Sequence, residues 1–419
     1  MKKSMHIKER GQALVIIALA AIGLFAFAAL AIDGSMVFSD RRHAQNAADT
    51  AALEAALTRV RGGSWESEGL NRASGNGYAN DADSTVEVYL CDNPLATCDG
   101  LPADAIPEEY IQVKIESDVR MFFARVVGRQ VTTNRVQAVA RAVPGTIKPM
   151  FDGHAVVGLA PHDCKAVKYQ GNASTSVIGS GIFVNSDCPS AAFFNNSSAA
   201  KLTAPCLQSV GGIQYAADAL NIPTSCISDG ASAYNYPPDN IVFPNIVCPS
   251  GESQSGSTLN PGTYTSGNKF PPSGVTNLSP GVYCVENDFV VNGGESLVGS
   301  NVIIIMKDGD VSFNGGATIN LSGPSGAQSE TNPYAGLFMY MPMENQGTIS
   351  LNGNSGSGFT GSVLAPSANI SIDGTGDAGL HGQIIGYTVD LSGTSNVKIV
   401  YDNNENWDAP VPPQVELKQ

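Results

Sequence analysis

The chain has 419 residues and a formal net charge of −15, and 42% of its residues are hydrophobic whereas 15% are charged. This balance excludes an intrinsically disordered chain, and the length allows two or three domains with buried cores. Residues 1–61 contain eight Lys/Arg and five Asp/Glu, so the remainder carries about −18. That acidity argues against nucleic acid as a partner, because phosphate binding needs clustered cations.

An uncharged run of twenty residues extends from Ala13 to Ile32. As an α-helix this run is about 30 Å long, which matches the apolar core of a bilayer. Four basic residues and one acidic residue precede it. The positive-inside rule therefore predicts a cytoplasmic N-terminus and places the chain after Ile32 outside. The predicted membrane-anchor residues include Ala13, Leu14, Ile22, Leu30 and Ile32.

A cleaved signal peptide is the alternative interpretation of this segment, because Ala29-Leu30-Ala31 has the small-x-small form of a cleavage site. The apolar run is longer than the usual stretch of about 7 to 15 residues in a signal peptide. A helical pattern also continues after it. The sequence therefore favours a retained, single-pass anchor in the cytoplasmic membrane.

Residues 35–61 have the pattern of a further helix that follows a break at Asp33-Gly34. One face of this helix carries a stripe of small residues, namely Ala44, Ala47, Ala48, Ala51, Ala52, Ala55 and Ala56. Such a stripe lets another helix approach closely, as in membrane bundles. Alanine is also the best helix former, so both explanations of the stripe stay open.

Short motifs mark residues 9–57: Arg10-Gly11-Gln12-Ala13, Ala31-Ile32-Asp33, Arg41-Arg42 and the segment from Gln45 to Ala52. Together they resemble the N-terminal domain of TadE/TadG-like Flp pilus-assembly proteins. The resemblance implies a membrane-anchored protein that supports assembly of an adhesive pilus or a related surface structure. It also implies pilin-like or other Tad-machinery proteins as partners, in addition to the membrane.

The chain departs from the pilin pattern at one position. A prepilin has Glu at the fifth position after the glycine of its cleavage site, whereas the fifth residue after Gly11 is Ile16. The sequence therefore argues against processing by prepilin peptidase and against a role as the major pilin subunit.

Residues 63–148 are predicted to form a small α+β domain. Thr85–Leu90, Ile111–Ile115 and Val131–Val143 alternate as strands, and Arg120–Val127 has the pattern of a short amphipathic helix.

Within this domain, Met121–Gly128 and Val136–Ala142 are similar to the region that follows the anchor in TadE/TadG-like proteins. We expect their apolar residues to belong to the core of the domain rather than to a site.

After Pro144 the composition changes to Gly, Asn, Ser, Thr and Val, and a pattern of apolar, any residue, apolar, polar and Gly recurs. It occurs at Phe289–Gly293, Val311–Gly315, Ile349–Gly353, Ile370–Gly374 and Val389–Gly393. These glycines lie 22, 38, 21 and 19 residues apart, a spacing with one double step that is typical of a stacked solenoid. Each unit would be a short strand that ends in a corner where glycine allows positive φ.

Residues 149–408 are therefore predicted to form a right-handed parallel β-helix, and residues 409–419 a polar tail. One such coil cannot bury its apolar face alone, so neighbouring coils must stack. An antiparallel sandwich built on Asn-Gly hairpins is the alternative.

The eight cysteines contain no C-x-x-C pair, so neither a zinc ribbon nor a thioredoxin-type site fits. Because this region is expected outside the cytoplasm, disulfides are favoured over eight reduced, buried thiols. Of the roughly one hundred possible connectivities, the nearest-neighbour set is one candidate. It joins Cys91 with Cys98, Cys164 with Cys188, Cys206 with Cys226 and Cys248 with Cys284.

Parallel β-helices also carry polysaccharide hydrolases and lyases, and Asp373, Asp377 and His381 are the cluster that such chemistry would use here. The cation would come from Lys307 or Lys398, because the chain has no Arg after residue 141. The simpler interpretation makes Asp373 a turn residue, Asp377 a loop carboxylate and His381 a surface side chain. We therefore predict no catalytic residue, with an anchored carbohydrate-active enzyme as the alternative.

Candidate metal ligands occur at His154 and at His162-Asp163-Cys164, but the two histidines lie eight residues apart without helical context. The G-G-x-G-x-D repeat of calcium-binding solenoids is absent, and Asp33-Gly34-Ser35-Met36-Val37 only half matches a D-x-S-x-S metal site. The sequence therefore predicts no metal and no cofactor.

These predictions describe a mainly β protein with an anchor and adjoining helix in residues 1–62, a small α+β domain and an extracytoplasmic solenoid. We expect a structural or adhesive surface protein linked to Flp pilus assembly or to attachment. Its Thr, Asn and Ser faces would bind a surface glycan or a protein without chemistry.

Overall fold

The structure, a computed structural model, describes residues 12–171, 174–197, 199, 201–239, 241–265, 267, 269–352, 357–373, 379–391 and 396–418. Two compact units divide the chain: Met1–Thr146 with Pro412–Gln419, and Ile147–Val411. The second unit is therefore inserted in the sequence of the first. The fold is mainly β, and two α-helices occur among the described residues.

The first unit contains both α-helices and a four-stranded antiparallel sheet. Its helices are α1 (Gln12–Val60) and α2 (Trp65–Gly75). The sheet consists, in spatial order, of β1 (Ser84–Leu90), β2 (Tyr110–Arg120), β3 (Val131–Val143) and the C-terminal strand (Gln414–Lys418). Short 3-10 helices lie at Pro107–Glu109 and Ala124–Val127. Residues 409–419, for which the sequence predicts a polar tail, thus contribute a strand to this sheet.

Helix α1 is continuous through Asp33-Gly34, where the sequence predicts a break. A single glycine costs a helix only about 1 kcal/mol, and the hydrogen bonds on both sides of it outweigh that cost. Beyond Asp40 the alanine stripe is buried against β2, β3 and α2. Helix α2 packs tightly at Gly69, where an added Cβ atom would lie 3.2 Å from Cβ of Ala55. The helix that packs closely against the alanine stripe is therefore α2 of the same chain.

The segment between β2 and β3 differs from its prediction as a helix. Strand β2 continues to Arg120, which pairs with Val131, and the Met121 N–H donates to the Gln130 carbonyl oxygen at 2.9 Å. Hairpin pairing thus uses backbone groups that a helix over 120–127 would need. In addition, Val126 and Val127 favour a helix only weakly, because their side chains branch at Cβ. What remains is the 3-10 helix at Ala124–Val127.

The second unit is a parallel β-solenoid whose first face has ten stacked strands. In stacking order these are Gly262–Tyr264, Gly281–Val285, Val302–Met306, Leu337–Tyr340, Ser362–Ile372, Ile384–Asp390, Val156–Gly158, Ile182–Val184, Leu207–Ser209 and Ile227–Ser228. The parallel pairing agrees with the predicted solenoid and not with the antiparallel sandwich.

A second face stacks in the same order. Its strands are Gln254–Ser255, Thr258–Leu259, Asn277–Leu278, Ser296–Gly299, Thr318–Ser322, Gly358–Thr360, Leu380–His381, Val397–Val400, Thr175–Ile178, Leu202–Thr203 and Leu220–Asn221. Only the first two strands of this face pair antiparallel in the described part of the solenoid. Elsewhere in this unit, 3-10 helices lie at Met150–Gly153 and Thr224–Cys226, and Thr146–Lys148 pairs with Ala409–Val411.

The stacking order differs from the order of the chain. The chain enters at Val156–Gly158 and winds to Ile227–Ser228. A crossover segment, residues 229–253, then leads to the opposite end of the stack, from which the chain winds back. Its last coil closes on its first, because Ile384 pairs with Val156.

The five-residue pattern of the sequence forms a third face. Phe289, Val311, Ile349, Ile370 and Val389 are consecutive partners in register along parallel strands. The same column continues through the strands Val167–Tyr169, Phe193–Asn195 and Ile213–Tyr215, which the sequence pattern did not reveal.

Glycines follow the strands Phe289–Val291 and Val311–Phe313 of this column. The positive φ lies at Gly294 and Gly316, one residue after the glycines of the pattern. A Cβ atom on Gly293 would instead lie 2.9 Å from the Gly315 carbonyl oxygen, so close stacking of coils requires that glycine. The pattern glycines 353, 374 and 393 lie outside the described residues.

Two cores hold the solenoid. Inside the coils, aromatic rings of successive coils meet edge to face, with centroids 5.0 Å apart for Phe270 and Phe289 and 4.8 Å apart for Phe289 and Phe313. Outside the first face, side chains of the crossover segment such as Phe243 pack over Ile303 and its neighbours. Trp407 belongs to this outer core.

Trp407 has polar neighbours on both sides in the sequence, yet its side chain is buried. The side chain is 2% exposed, and its Nε1 donates to the Pro333 carbonyl oxygen at 3.0 Å. A single tryptophan among polar neighbours gives no periodicity that would predict burial.

Candidate membrane-anchor site

The first half of α1 carries apolar side chains with no cover from the described residues. Leu14 is 72% exposed and Leu30 is 70% exposed, and Ile22 and Ile32 are also exposed. The side chain of Ala13 lies outside the described residues. By length and composition this helix is able to cross a membrane, and it is the candidate span found among the described residues. One N-terminal apolar helix of this kind fits a single-pass anchor.

Asp33 is the first charged residue after the apolar run, and its side chain is buried. Its carboxylate accepts hydrogen bonds from the backbone N–H groups of Phe122 at 3.0 Å, Phe123 at 3.1 Å and Ala124 at 2.7 Å. Three consecutive donors at the start of the 3-10 helix thus satisfy a carboxylate that would be costly to bury alone. Asp33 therefore fixes the β2–β3 connection against the helix where the apolar run ends.

Asp40 makes the second connection between α1 and the sheet, two turns further along the helix. Its carboxylate accepts hydrogen bonds from Asn134 Nδ2 at 2.7 Å and from the Tyr78 hydroxyl at 3.0 Å. Burial and the neighbouring Asp40 carboxylate raise the pKa of Tyr78 above its ordinary value, so the phenol stays protonated and donates. The helix and the domain beside it are therefore joined by specific polar contacts as well as by the alanine stripe.

The residues of the enzyme alternative do not assemble into a described site. His381 Nδ1 lies 3.3 Å from a carboxylate oxygen of Glu405 and is partly exposed. Lys307 forms an ion pair with Glu286 at 2.6 Å, and its coil lies three coils away from that of His381. Asp377 lies outside the described residues.

The two remaining residues of that alternative, and the two histidines proposed as metal ligands, lie in structural surroundings. Asp373 follows the strand Ser362–Ile372, and its N–H donates to the Leu351 carbonyl oxygen at 3.2 Å. His154 contacts the Phe151 carbonyl oxygen and Gln208, whereas His162 contacts Asp187 at 3.0 Å. Lys398 lies on the strand Val397–Val400. Among the described residues, no group of three His, Cys, Asp or Glu side chains is placed to hold a metal ion.

All eight cysteines are disulfide-bonded, and their pairs are those of the nearest-neighbour set. Cys248 and Cys284 join the crossover segment to the strand Gly281–Val285. Cys164 and Cys188 join two coils of the first half of the solenoid.

Family models match two separate parts of the chain. Residues 11–58 match the Tad model, described as Flp pilus-assembly TadE/G-like. This matched segment covers nearly all of α1, including Asp33, Asp40 and the alanine stripe. A second model, a domain of unknown function (DUF7305), matches residues 251–406, which form the second half of the solenoid. No curated protein matches the chain.

The Tad-like match covers the apolar helix that the sequence predicted, but sequence reasoning missed two features of this site. The apolar side chains at 122–127 were expected in the core, and the structure exposes Phe122, Phe123, Val126 and Val127. By contrast, Val136–Ala142 supplies buried residues, as expected. Pairing of the C-terminal strand with β3 was also missed. A signal for it was available in the alternation of Gln414-Val415-Glu416-Leu417-Lys418.

Proposed function

We propose that this chain is a membrane-anchored, extracytoplasmic structural or adhesive protein that takes part in Flp pilus assembly or in surface attachment. The observation that carries the proposal is α1 itself. Its first half exposes an apolar run of bilayer length, and its second half is packed into a folded domain. The match of residues 11–58 to a TadE/G-like family supports the link to the pilus.

Charge and cysteine pairing both support the proposed orientation. The basic residues before Ala13 favour a cytoplasmic N-terminus, which places both units outside. Four disulfides are consistent with a location outside the cytoplasm, because disulfides persist in oxidising compartments. The protein would then reside in the cytoplasmic membrane as a single-pass protein.

The proposed partners are pilin-like or other Tad-machinery proteins and, for the solenoid, a surface glycan or protein. On the third face, polar side chains lie beside the column of buried residues. One example is Asn314, whose Nδ2 donates to Asn292 Oδ1 on the neighbouring coil at 3.2 Å. Rows of amide side chains at a regular spacing suit a repetitive ligand. The acidic surface gives no support for a nucleic-acid partner.

Topology is tested by protease treatment of intact spheroplasts. We expect the solenoid to be digested while a small fragment that contains Leu14–Ile32 stays in the membrane. Permeabilised spheroplasts and a cytoplasmic marker protein are the controls. Recovery of soluble protein that lacks residues 1–31 from the medium would contradict a retained anchor.

The pilus link is tested by deleting the gene and counting pili and attached cells. We expect both counts to fall and to be restored by the full chain. A variant in which Asp33 and Asp40 are both replaced by Ala keeps the apolar run but loses the contacts to the sheet, and it should restore less. Normal pili and normal attachment in the deletion strain would contradict the proposal.

A further inference from the structure

The connection between β2 and β3, residues 121–130, exposes large apolar side chains. We name it the Phe122 loop. Phe122 is 64% exposed, and Val126 and Val127 are 89% and 84% exposed. Contiguous apolar surface of this kind marks a site for a membrane or for a protein partner.

The position of the Phe122 loop relative to α1 decides between these partners. Asp33 accepts hydrogen bonds from the N–H groups of Phe122, Phe123 and Ala124, so the loop is held at the turn of α1 that follows Ile32. The twenty uncharged residues before that turn span about 30 Å, which is the thickness of the bilayer core. The loop therefore lies at the level where the helix leaves the bilayer.

The charge of the Phe122 loop also suits a lipid surface. Residues 119–132 contain three arginines and no Asp or Glu, in a chain whose part beyond residue 61 carries about −18. Arg120 is paired with Asp83 at 3.0 Å, whereas Arg125 and Arg129 are exposed beside the apolar side chains. Arginine forks bind phosphate oxygens well, and aromatic and aliphatic side chains enter the interface between headgroups and acyl chains.

We propose that the Phe122 loop is a second membrane contact, which inserts Phe122, Val126 and Val127 into the outer interface of the bilayer that holds α1. Arg125 and Arg129 bind the phosphates of anionic lipids there. The inference rests on the anchor proposed above. Two contacts with the bilayer, rather than one, would fix the tilt and rotation of the first unit relative to the membrane plane.

The test uses the full chain, with its disulfides formed, in vesicles of phosphatidylethanolamine and phosphatidylglycerol. Because every native cysteine is paired, a single introduced cysteine carries an environment-sensitive fluorophore. Three positions are compared: Val126→Cys in the loop, Ile106→Cys as the control and Leu19→Cys in the apolar run. Ile106 is an exposed apolar residue at the opposite end of β2, about 35 Å from the loop.

Lipids with quenchers near the headgroup and near the bilayer centre report the depth of each label. We expect Val126→Cys to be quenched by the shallow lipid, Leu19→Cys by the deep lipid and Ile106→Cys only by aqueous iodide. Equal iodide access at Val126→Cys and Ile106→Cys would overturn the inference and leave the loop to a protein partner. If the deep lipid did not quench the label at Leu19→Cys, the anchor itself would be overturned. The two failures are therefore distinguishable.

A pair of substitutions that removes both positive charges tests the role of the arginines. Since each basic residue near an anionic surface contributes roughly a fivefold factor, Arg125→Gln with Arg129→Gln should lower the ratio of inserted to free loop at least tenfold in anionic vesicles. In phosphatidylcholine vesicles the same variant should match the parent. Equal quenching of variant and parent in anionic vesicles would overturn the phosphate contact. An unchanged circular dichroism spectrum shows that the variant is folded.

Discussion

The side-chain amide of Gln383 donates from Nε2 to the Met150 carbonyl oxygen at 2.9 Å, although 233 residues separate them in sequence. The same nitrogen donates to the His154 carbonyl oxygen at 2.7 Å. Gln383 is buried and immediately precedes the strand that pairs with Val156. This one amide therefore joins the last coil of the solenoid to the segment where the solenoid begins.

Replacing Gln383 by Ala should destabilise the solenoid. The substitution leaves two buried carbonyl oxygens without their donor, and each costs about 1–3 kcal/mol. The midpoint of urea unfolding of the full chain in detergent should fall. Gln214→Ala removes an exposed amide from the same unit and should change the midpoint little, because surface substitutions stay within about 0.5 kcal/mol. Equal midpoints for the two variants would show that the closing coil does not limit stability.

Removing the disulfide between Cys248 and Cys284 should loosen the crossover segment. This pair closes a loop with a sequence separation of 36, and a disulfide of that kind contributes about 2–4 kcal/mol. We expect Cys248→Ser with Cys284→Ser to become sensitive to protease within residues 229–253. The matched control, Cys91→Ser with Cys98→Ser, alters the first unit and should leave this segment protected.

The pairing itself is checked by counting thiols in the denatured, non-reduced chain. We expect fewer than three free thiols, and peptide mapping should recover the four pairs of the structure. Six or more free thiols would contradict the pairing and weaken the argument for export.

Enlarging the alanine stripe should destabilise the first unit. Ala48 is completely buried against the sheet and α2, so Ala48→Leu forces the elements apart at a cost of about 1–3 kcal/mol. Asn46→Leu adds a side chain of the same size on the exposed side of α1 and should be tolerated. Thermal unfolding followed by near-ultraviolet circular dichroism compares them. A stable Ala48→Leu variant would indicate that the stripe is loosely packed.

The enzyme alternative is tested directly with the full chain and bacterial or host polysaccharides. We expect no release of reducing ends, and we expect Asp373→Asn, Asp377→Asn and His381→Ala to leave attachment unchanged. The reason is that Asp373 follows a strand of the third face, whereas His381 lies on the second face and contacts Glu405. Reducing ends whose release either Asn substitution abolishes would establish the enzyme instead.

Local patterns in the sequence predicted much of the fold. Alternation predicted β3 at the bounds that the structure shows, and the Phe289–Gly293 pattern predicted parallel stacking. Period and alternation report which faces are apolar, but they carry no information about which coil lies beside which. The closure of Ile384 on Val156 therefore had no local signal.

The apolar helix α1 was likewise predictable, whereas the Phe122 loop was not. An uncharged run of bilayer length and a family motif identify α1 without any tertiary information. The apolar character of residues 121–127 suggested a core, because apolar side chains are usually buried. Their exposure depends on hairpin pairing and on the hydrogen bonds to Asp33, neither of which is encoded locally.

Closure of the last coil on the first has a consequence for the time course of folding. A chain synthesised from its N-terminal end delivers the strands between Val156 and Ser228 first. One side of this half stays unpaired until Ile384–Asp390 emerges. Unpaired edges of parallel strands are sites of misassembly, and distant pairings form slowly. During this interval the half-built solenoid keeps an open edge, and its native state is reached only after nearly the whole chain has been synthesised.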